Sequence, residues 1–473
     1  MKTMKTWKRF GVAAGCGLLA WVGALRAEPA KLLVTQAYLF TMEAGQKEPF
    51  LGYFTVGADG KIATIGAGEA PAGIEAEKTL GLGGKWVLPG FISAHSHLWQ
   101  SAYRGLAADQ TLMGWVNALY MQQAMRAEDS SFYWFTLQGA LDHLKHGITA
   151  AYNFNYGGWR EGDFAAQQYR AELDSGLRFV HGYNVGRIGP RLTLEQARGQ
   201  LKTFLAWLET QPKPDTFLSV MFNGAAGFTD GPEQTVAEAA LGKEFGLGNH
   251  IHYLEWPPGQ AEERGKFRWF LDHGLLNRNV YFGHFIHTDD WIIAESVKAG
   301  AGMSWNPLSN GRLASGTADI PKYMKAGLRI GMGVDGQASA DRADPFENLR
   351  AGLYAVRAKY EDATVLSPYD VVRMHTMGSA DVMGVADKIG SLAAGKFADF
   401  LVIDPTELGV VFDPYATLVF AGGGEHVQSV YVGGVAKVEA GKLLGQDWER
   451  IGGEVTRRVR EAKPAPAGSG EGH

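Results

Sequence analysis

Short apolar runs alternate with amphipathic segments through the middle of the chain, from about residue 90 to 385. Eight runs have the length and apolar content of buried β-strands, and segments of helical period separate most of them. The alternation predicts an α/β fold, a (β/α)8 TIM-like barrel with its active site at the C-terminal ends of the strands. The runs are FISAHSH, GITAAYNFN, LRFVHGYNV, TFLSVMFNG, NHIHYLEW, NVYFGHFIH, GAGMSWNP and LRIGMGVDG.

An open, doubly wound sheet is the alternative arrangement of alternating strands and helices. Such sheets normally carry a glycine-rich phosphate-binding turn after their first strand. The first run is followed here by LWQSAYRG, which contains no such turn. We therefore prefer the barrel as the interpretation of this pattern.

The two ends of the chain have a different texture, with short apolar runs joined by tight turns. Residues 28–89 contain the hairpin signal ADGKI between two apolar runs, and residues 386–450 contain VQSVYVGGVAKVEAGKLL. This predicts a small β-sandwich domain built from both segments, flanking a barrel domain over 90–385. Residues 451–473 end in KPAPAGSGEGH and are predicted to form a disordered tail.

The first 27 residues read as a secretory signal peptide. Basic residues precede an apolar run from Phe10 to Ala24, and LRAEPA follows, with cleavage expected after Ala27. An uncleaved membrane anchor is the alternative, but about 15 apolar residues fall short of the roughly 20 that span a bilayer. A lipoprotein signal at Cys16 is disfavoured because apolar residues continue beyond it. We expect an exported protein, periplasmic or secreted, with no membrane attachment beyond this signal.

Charge and cysteine content exclude several classes of function. The net charge of the whole chain is −5, and loss of the five basic residues in 1–27 makes it −10. An acidic chain without a basic block is not expected to bind nucleic acid. Cys16 is the only cysteine, so the exported part has no disulfide, no catalytic thiolate and no cysteine-ligated zinc.

Polar residues end several of the predicted barrel strands, and these ends should converge at one mouth. The alternation of side chains along a strand places two histidines of the first strand on one face. Three imidazoles and one carboxylate suit a zinc or iron(II) site with a position left for water. Glu255 and His284 are expected beside this cluster. The four residues are His95 and His97 from the first strand, His252 from the fifth and Asp335 from the eighth.

Each of these residue types also has a structural explanation. His250 shares the face of His252 but lies deeper in the strand, so it is interpreted as a packed or supporting residue. Asp335 alone could be an ordinary turn residue. The small Gly331 and Gly333 on its own face of the strand favour a position in the mouth instead.

The motifs together resemble a known family. PGFISAHSHLWQSAYRGLAAD, HIHYLEW, GHFIHTDD, NPLSNGRLASG, GVDG and IGSLAAGKFADFLVID, which lie in order between about residues 31 and 445, are similar to the amidohydrolase superfamily. More narrowly, they resemble its chlorohydrolase and heterocycle-deaminase branch, which includes cytosine, guanine and S-adenosylhomocysteine deaminases. The resemblance implies that Glu255 is a proton shuttle and that His284 polarises the bond under attack. It implies as metal ligands His95, His97, His252 and Asp335.

The resemblance also bears on the number of metals. Binuclear members of the superfamily bridge two metals with a carboxylated lysine at the end of the fourth strand. That strand reads TFLSVMFNGAAG here, and the third ends HGYNVGR, so neither offers a lysine. We therefore predict one divalent metal, with Zn²⁺ preferred over Fe²⁺. Asp335 is then expected to accept a proton from the activated water while Glu255 protonates the substrate.

The leading functional hypothesis is deamination of a nitrogen heterocycle of the free-base, pterin or triazine type. A general acid that reaches a ring nitrogen is what aromatic C–N deamination requires. Hydrolysis of an amide, or of a ring-attached amine or chloride, by the same site is the alternative. A non-catalytic exported binding protein is disfavoured, because all four proposed metal ligands and the proposed acid Glu255 are present. The expected partner is a small-molecule substrate. Homo-oligomers are common for this fold, and the sequence leaves that point open.

Aromatic residues are concentrated near the predicted mouth and would stack on a planar substrate. The predicted substrate contacts are Trp99, Tyr103, Trp256, Trp305 and Arg312. Two departures from the family pattern affect the substrate. Adenosine-type deaminases usually carry Trp-Pro-x-Glu soon after the first strand, where this chain has GWVNALY, and relatives often have aspartate where Asn153 ends the second strand. The first departure argues against a nucleoside.

Overall fold

The structure is a computed structural model that describes residues 29–156, 162–188 and 192–462. The predicted signal peptide, residues 1–27, and the end of the predicted tail, residues 463–473, lie outside the described residues. Among the helices that are described, none combines the length and the apolar character needed to cross a membrane.

Strands of the described ranges fall into two sheets, as the sequence pattern predicts. The first sheet draws its strands from both ends of the chain: β1 Ala30–Leu39, β2 Phe50–Val56, β3 Ile62–Ala67, β4 Ala76–Gly81, β5 Trp86–Pro89, and later β15–β18. The second contains β6 Phe91–His97, β7 Ile148–Asn153, β8 Arg178–Tyr183, β9 Phe217–Gly224, β10 Gly248–Tyr253, β11 Val280–His284, β12 Gly302–Trp305, β13 Arg329–Met332 and β14 Asp335–Gly336. The remaining strands are β15 Phe400–Ile403, β16 Val427–Val432, β17 Val435–Glu439 and β18 Lys442–Leu443.

The second sheet is parallel and closes into a barrel. β13 pairs with β12, and β14 pairs with β6, so the last strand of the series returns to the first. Because only Gly333 and Val334 separate β13 from β14, these are two halves of the eighth barrel strand. A Cβ at Gly333 would lie 2.6 Å from the carbonyl oxygen of His95, so glycine is needed where the two strands approach. All eight predicted barrel strands are therefore confirmed.

Helices follow most barrel strands and cover the barrel. Segments of helical period were predicted between most barrel strands, and helices lie there in the structure. The α-helices of the described residues are α1 Leu112–Val116, α2 Asp129–Lys145, α3 Phe164–Ser175, α4 Leu194–Glu209, α5 Glu233–Phe245, α6 Gln260–Asp272, α7 Asp290–Ala299, α8 Pro307–Arg312, α9 Ile320–Ala326, α10 Pro345–Tyr360, α11 Pro368–Arg373, α12 Ser379–Val382, α13 Pro414–Phe420 and α14 Trp448–Glu461.

The first sheet is mixed and curls around its own apolar core. Its order within the described residues runs β18-β17-β16-β15-β5-β1-β2-β3, with β4 also paired to β1. The rings of Phe54 on β2 and Phe400 on β15 meet edge to face at 5.2 Å, although they come from opposite ends of the chain. Both terminal segments thus contribute to one sheet. The exact domain boundaries at residues 89 and 385 stay a prediction.

The C-terminal segment corrects one prediction. Residues 451–461 were expected to be disordered, but they belong to helix α14. Asp447 caps its first turn through the N–H of Arg450. The buried Ile451 and Val455 lie one turn apart on the side that faces α2, where the guanidinium of Arg450 lies over the ring of Trp134. Amphipathic spacing before Lys463 therefore outweighs the Pro/Gly-rich composition that follows it.

Candidate metal centre and active site

The four predicted metal ligands meet at the C-terminal mouth of the barrel. Oδ1 of Asp335 lies 3.3 Å from Nε2 of His95 and 3.4 Å from Nε2 of His97. Nε2 of His252 lies 3.3 Å from Nε2 of His97. All four side chains are buried. The sequence argument for their convergence is therefore matched by their positions.

Three of the distances between these atoms match the spacing of ligands around a divalent cation. Zinc binds imidazole nitrogen and carboxylate oxygen at roughly 2.0–2.2 Å, which places adjacent ligand atoms of a tetrahedron about 3.4 Å apart. Nδ1 of His97 donates to the carbonyl oxygen of Phe154 at 2.8 Å, so its Nε2 presents a lone pair to the carboxylate. Nε2 of His95 is buried and has no hydrogen-bond partner among the described residues. Lone pairs directed at a carboxylate repel it unless a cation lies between them.

Burial favours the neutral form of two imidazoles of the cluster, those of His97 and His252. It lowers the pKa of His97 to about 4, an effect that the neighbouring His95 reinforces. Burial likewise holds the pKa of His252 well below its ordinary value, again with help from His95. Neutral imidazole is the form that binds a metal. The ligand set is thus ready at neutral pH without loss of a proton from either residue.

The second barrel strand holds the first in place. The N–H of Phe154 donates to the carbonyl oxygen of Ser96 at 2.7 Å, and the N–H of Leu98 donates to Oδ1 of Asn153 at 3.1 Å. Nδ2 of Asn153 in turn donates to Oε1 of the buried Glu172 at 2.5 Å. The residues on both sides of His97 are therefore fixed by hydrogen bonds from its neighbour strand. An amide at position 153 is required because it must both accept from Leu98 and donate to a carboxylate.

Glu255 and His284 lie together beside the four predicted ligands, which we call the metal-type cluster. Oε2 of Glu255 is 3.4 Å from Nε2 of His284, and Oδ2 of Asp335 is 3.9 Å from the same nitrogen. Nδ1 of His284 accepts a hydrogen bond from Nδ2 of Asn310 at 2.8 Å. Nε2 therefore carries the hydrogen and points into the site as a donor. Burial lowers the pKa of His284 to about 3, so this donor is a neutral imidazole.

Glu255 is placed to act as an acid. Burial raises its pKa well above the ordinary value, and the nearby carboxylates of Asp335 and Glu263 raise it further. The hydroxyl of Ser315 donates to its Oε1 at 3.4 Å. A carboxyl group whose pKa is raised by burial keeps its proton to a higher pH than an exposed one and can deliver it to a substrate.

Strained backbone marks the three turns that present these side chains. Leu254, which precedes Glu255, has φ of 55°, His284 has φ of 68° and Asp335 has φ of 60°. Side chains other than glycine rarely adopt such angles, and they persist where the surrounding structure enforces them. The left-handed turns end the strands abruptly and direct the functional side chains toward one another.

The structure shows the surroundings of the predicted substrate contacts, whose part in substrate binding stays a prediction. Trp99, Tyr103 and Trp305 are buried in the hydrophobic core, with exposures of 0%, 6% and 1%. The guanidinium of Arg312 bonds to Asp341 and to the carbonyl oxygens of Leu106 and Ala107, so it clamps two loops. The ring of Trp99 packs against Tyr120 and Phe132, which its neighbours in sequence do not reveal. Trp256 is only partly buried, and its role as a substrate contact stays a prediction.

Two aromatic residues near the metal cluster were missed. The ring of Tyr156 stacks on His97 with centroids 5.6 Å apart and an angle of 9°. Phe228, whose side chain is half exposed, lies edge-on to His252 at 6.2 Å. Both follow the ends of barrel strands, β7 and β9. The rule that singled out Trp99 and Trp256, an aromatic residue after a strand end, would have found them as well.

A single metal position stays a prediction. Within 29–156, 162–188 and 192–462, two groups of residues could hold a metal, namely His95 with His252 and His284, and His95 with His97 and Asp335. The fourth strand ends at Asn223 and Gly224, where the amide of Asn223 accepts from the hydroxyl of Tyr152 at 2.6 Å. No lysine stands there to bridge a second ion.

Comparison with known proteins agrees with the fold. Residues 86–437 match the profile of the amidohydrolase family. A 5-methylthioadenosine/S-adenosylhomocysteine deaminase of Symbiobacterium thermophilum is 31% identical over 73% of this chain and 79% of its own length. A deaminase of the same name from Desulforudis audaxviator is 28% identical over 91% of this chain and 98% of its own. The structure of an adenosine deaminase from Xanthomonas campestris with bound zinc superposes with a TM-score of 0.80, at 22% identity, over 92% of this chain and 99% of the other.

Proposed function

This chain belongs to the amidohydrolase family, as a hydrolytic enzyme acting on C–N bonds, and we propose that it is an exported, single-metal deaminase of a nitrogen heterocycle. The observation that carries the proposal is the position of Glu255. Its carboxyl group, kept protonated by burial, lies 3.4 Å from a neutral histidine donor and faces the same Asp335 that completes the metal-type cluster. Acid, donor and water-activating site therefore face one reacting centre.

The residues divide the work of hydrolysis. His95, His97, His252 and Asp335 would hold the cation, which when bound supplies a Lewis acid and lowers the pKa of a water. Oδ2 of Asp335, which lies 3.9 Å from Nε2 of His284, would accept the proton of the attacking water. Glu255 donates its proton to a ring nitrogen, which makes the adjacent ring carbon electrophilic. The Nε2–H of His284 donates a hydrogen bond to the oxygen that gains charge. Asp335 then passes the proton it took from water to the amino group, which leaves as ammonia as the C–N bond breaks. The new hydroxyl returns a proton to Glu255 and becomes the carbonyl of the product.

The amino heterocycle that we propose first is a 6-aminopurine. The two relatives described above are named for purine-containing substrates, 5-methylthioadenosine and S-adenosylhomocysteine. The stretch GWVNALY lacks the acid that adenosine-type deaminases use for the ribose, and Trp115 within it donates its indole N–H to the carbonyl oxygen of Ala338. The two candidate substrates to compare are therefore a free purine base and a purine nucleoside whose ribose is bound without that acid.

Export is part of the proposal and rests on the sequence of residues 1–27. Fractionation of cells that express the whole chain, followed by N-terminal sequencing, tests it. We expect a mature protein in the exported fraction that starts at or near Glu28. Recovery in the cytoplasm with residues 1–27 intact would show that the segment is not a signal peptide.

A substrate screen tests the activity directly. The mature protein is stripped of metal, reloaded with Zn²⁺ or Fe²⁺, and offered adenine, adenosine, 5-methylthioadenosine, S-adenosylhomocysteine, guanine, cytosine, a pterin, an aminotriazine, a chlorotriazine and acylated amines. We expect metal-dependent release of ammonia from an amino heterocycle. Release of chloride or of a free acid would favour the alternative hydrolase. Activity that survives complete removal of metal would contradict the assigned ligand set.

A further inference from the structure

A histidine outside the metal cluster is hydrogen-bonded to one of its members. His250 lies two residues before His252 on β10 and is fully buried. Its Nε2 is 2.6 Å from Nδ1 of His95, and its Nδ1 is 3.1 Å from the carbonyl oxygen of Tyr281. The proposed mechanism gives His250 no task. It cannot join the cluster either, because both of its nitrogens already have partners.

The carbonyl oxygen at one end of this chain determines where each hydrogen lies. A carbonyl oxygen only accepts, so Nδ1 of His250 must donate to Tyr281. Nε2 of the neutral His250 is then a lone pair, and Nδ1 of His95 must be the donor between the two rings. His95 is therefore left with a lone pair on Nε2, the atom that lies 3.3 Å from Asp335.

The surroundings allow His250 only one orientation. Its ring stacks on Tyr281 at 3.9 Å and 10°, and Tyr152 meets it edge-on at 4.8 Å. The hydroxyl of Tyr281 donates to the carbonyl oxygen of Ala94, one residue before His95, at 2.9 Å. A Cβ at Gly283 would lie 3.2 Å from Cε1 of His250 and 3.5 Å from Cε1 of His95. The barrel interior is thus shaped around this pair of imidazoles.

From this we infer that His250, backed by Tyr281, is a positioning residue that holds His95 in the Nδ1–H tautomer and so presents its Nε2 to the metal in advance. Metal-bound histidines usually donate their second nitrogen to a carboxylate, a carbonyl or water, and such partners fix the ring and its tautomer. Here the partner is a neutral imidazole, which supplies the orientation without a negative charge. The inference rests on the proposed metal site but not on the identity of the substrate.

Three variants separate positioning from packing. His250→Phe keeps a ring but removes the acceptor, and His250→Gln keeps an acceptor near the position of Nε2. His375→Phe is the matched control, because His375 is also fully buried with Nδ1 bonded to a carbonyl oxygen, that of Ile92 at 3.0 Å, and it contacts none of the four ligand rings. Zinc dissociation constants are measured by chelator competition on the mature protein, and folding is checked by circular dichroism.

We expect His250→Phe to weaken zinc binding by about 10- to 100-fold, His250→Gln by less, and His375→Phe not at all. Equal affinity in a folded His250→Phe variant, or an equal loss in His375→Phe, would overturn the inference. Failure of the wild-type protein to bind zinc would instead overturn the proposed function.

A spectroscopic measurement decides the matter if His250→Phe does not fold. In metal-free protein with ¹⁵N-labelled histidine, the hydrogen bond between the two rings should give a through-bond coupling between Nδ1 of His95 and Nε2 of His250. Its presence in the wild type, with a single hydrogen on Nδ1 of His95, supports the inference. A hydrogen on Nε2 of His95 in the folded wild-type protein would refute it.

Discussion

Oε2 of Glu255 lies 3.4 Å from Nε2 of His284, although the two side chains come from neighbouring barrel strands, β10 and β11. Leu254, which precedes Glu255, and His284 itself both have left-handed backbone, and Nε2 of His284 lies 3.9 Å from Oδ2 of Asp335. A proton donor and a hydrogen-bond donor thus lie on the same side of the metal-type cluster. We expect the rate of the reaction to depend on both Glu255 and His284, and separate variants test each residue.

Replacement of the acid should abolish turnover and spare the metal. Glu255→Gln keeps the shape and the contact with Ser315 but removes the proton that would reach the ring nitrogen. We expect kcat to fall by about 100- to 10,000-fold, the range for loss of a general acid or base. Zinc content, measured by atomic absorption, should not change because Glu255 is not among the four ligands. A variant with wild-type kcat would show that another group protonates the substrate.

The orientation of His284 should depend on the amide of Asn310. In Asn310→Asp, a carboxylate replaces the donor and would accept from Nδ1 of His284, which moves the hydrogen away from Nε2. The site then loses a donor toward the developing charge. We expect kcat to fall by about 100- to 1,000-fold with a much smaller change in KM.

Ser309→Ala is the matched control for that measurement. Ser309 neighbours Asn310 and is buried, and its hydroxyl has no hydrogen-bond partner among the described residues. Its steady-state constants should stay at wild-type values. A fall in kcat as large as that of Asn310→Asp would mean that the loop, and not the tautomer, is responsible.

The amide at Asn153 should be exchangeable only together with its carboxylate partner. Asn153→Asp would place two carboxylates in contact inside the protein, since Glu172 lies 2.5 Å away and both groups are buried. We expect a loss of roughly 3 kcal/mol in the free energy of unfolding. In the double variant Asn153→Asp/Glu172→Gln, the carboxylate is at position 153 and the amide at position 172. The oxygen of that amide can still accept from Nδ1 of His181.

Urea unfolding of both single variants and the double variant measures this coupling. The double variant should recover most of the stability lost in Asn153→Asp. It also restores the aspartate that family members often carry at this position. Additive losses in the double variant would indicate that the two side chains do not interact as described.

The sequence predicted those site residues whose direction depends on their own strand, and it failed where the direction depends on packing against distant segments. His95 and His97 were identified because alternation along one strand and the order of the strand ends fix their direction without knowledge of distant packing. The direction of Trp99 depends on Tyr120 and Phe132, which belong to a later segment, so the same reasoning does not determine it. Helix α14 was missed for a similar reason, because it packs against α2, a helix that lies far from it in the sequence. Tautomers of His250 and His284 were beyond prediction, since they depend on a carbonyl group and an amide brought near by the fold.

Stability should depend on pH through a buried acid far from the metal cluster. Burial raises the pKa of Glu238 from its ordinary value of 4.5 to about 7. Below pH 4.5 the carboxyl is protonated whether the chain is folded or unfolded, and the group then has no effect. Between pH 4.5 and 7 the unfolded chain releases the proton while the folded one retains it, so folded stability falls, and above pH 7 the loss is complete. This group alone costs on the order of 3 kcal/mol at pH 8.

Glu238→Gln removes that ionisation and should therefore change the slope of stability against pH. Its amide can still accept from the N–H of Ala225 or bond to Gln234, the two partners of the carboxylate. We expect its free energy of unfolding, relative to wild type, to rise by roughly 2–3 kcal/mol between pH 5 and pH 8. Glu195→Gln, at an exposed acid whose side chain is 78% accessible, should show no such trend. Parallel curves for wild type and Glu238→Gln would mean that Glu238 ionises in the folded protein as readily as in the unfolded chain, because water or a small rearrangement reaches it.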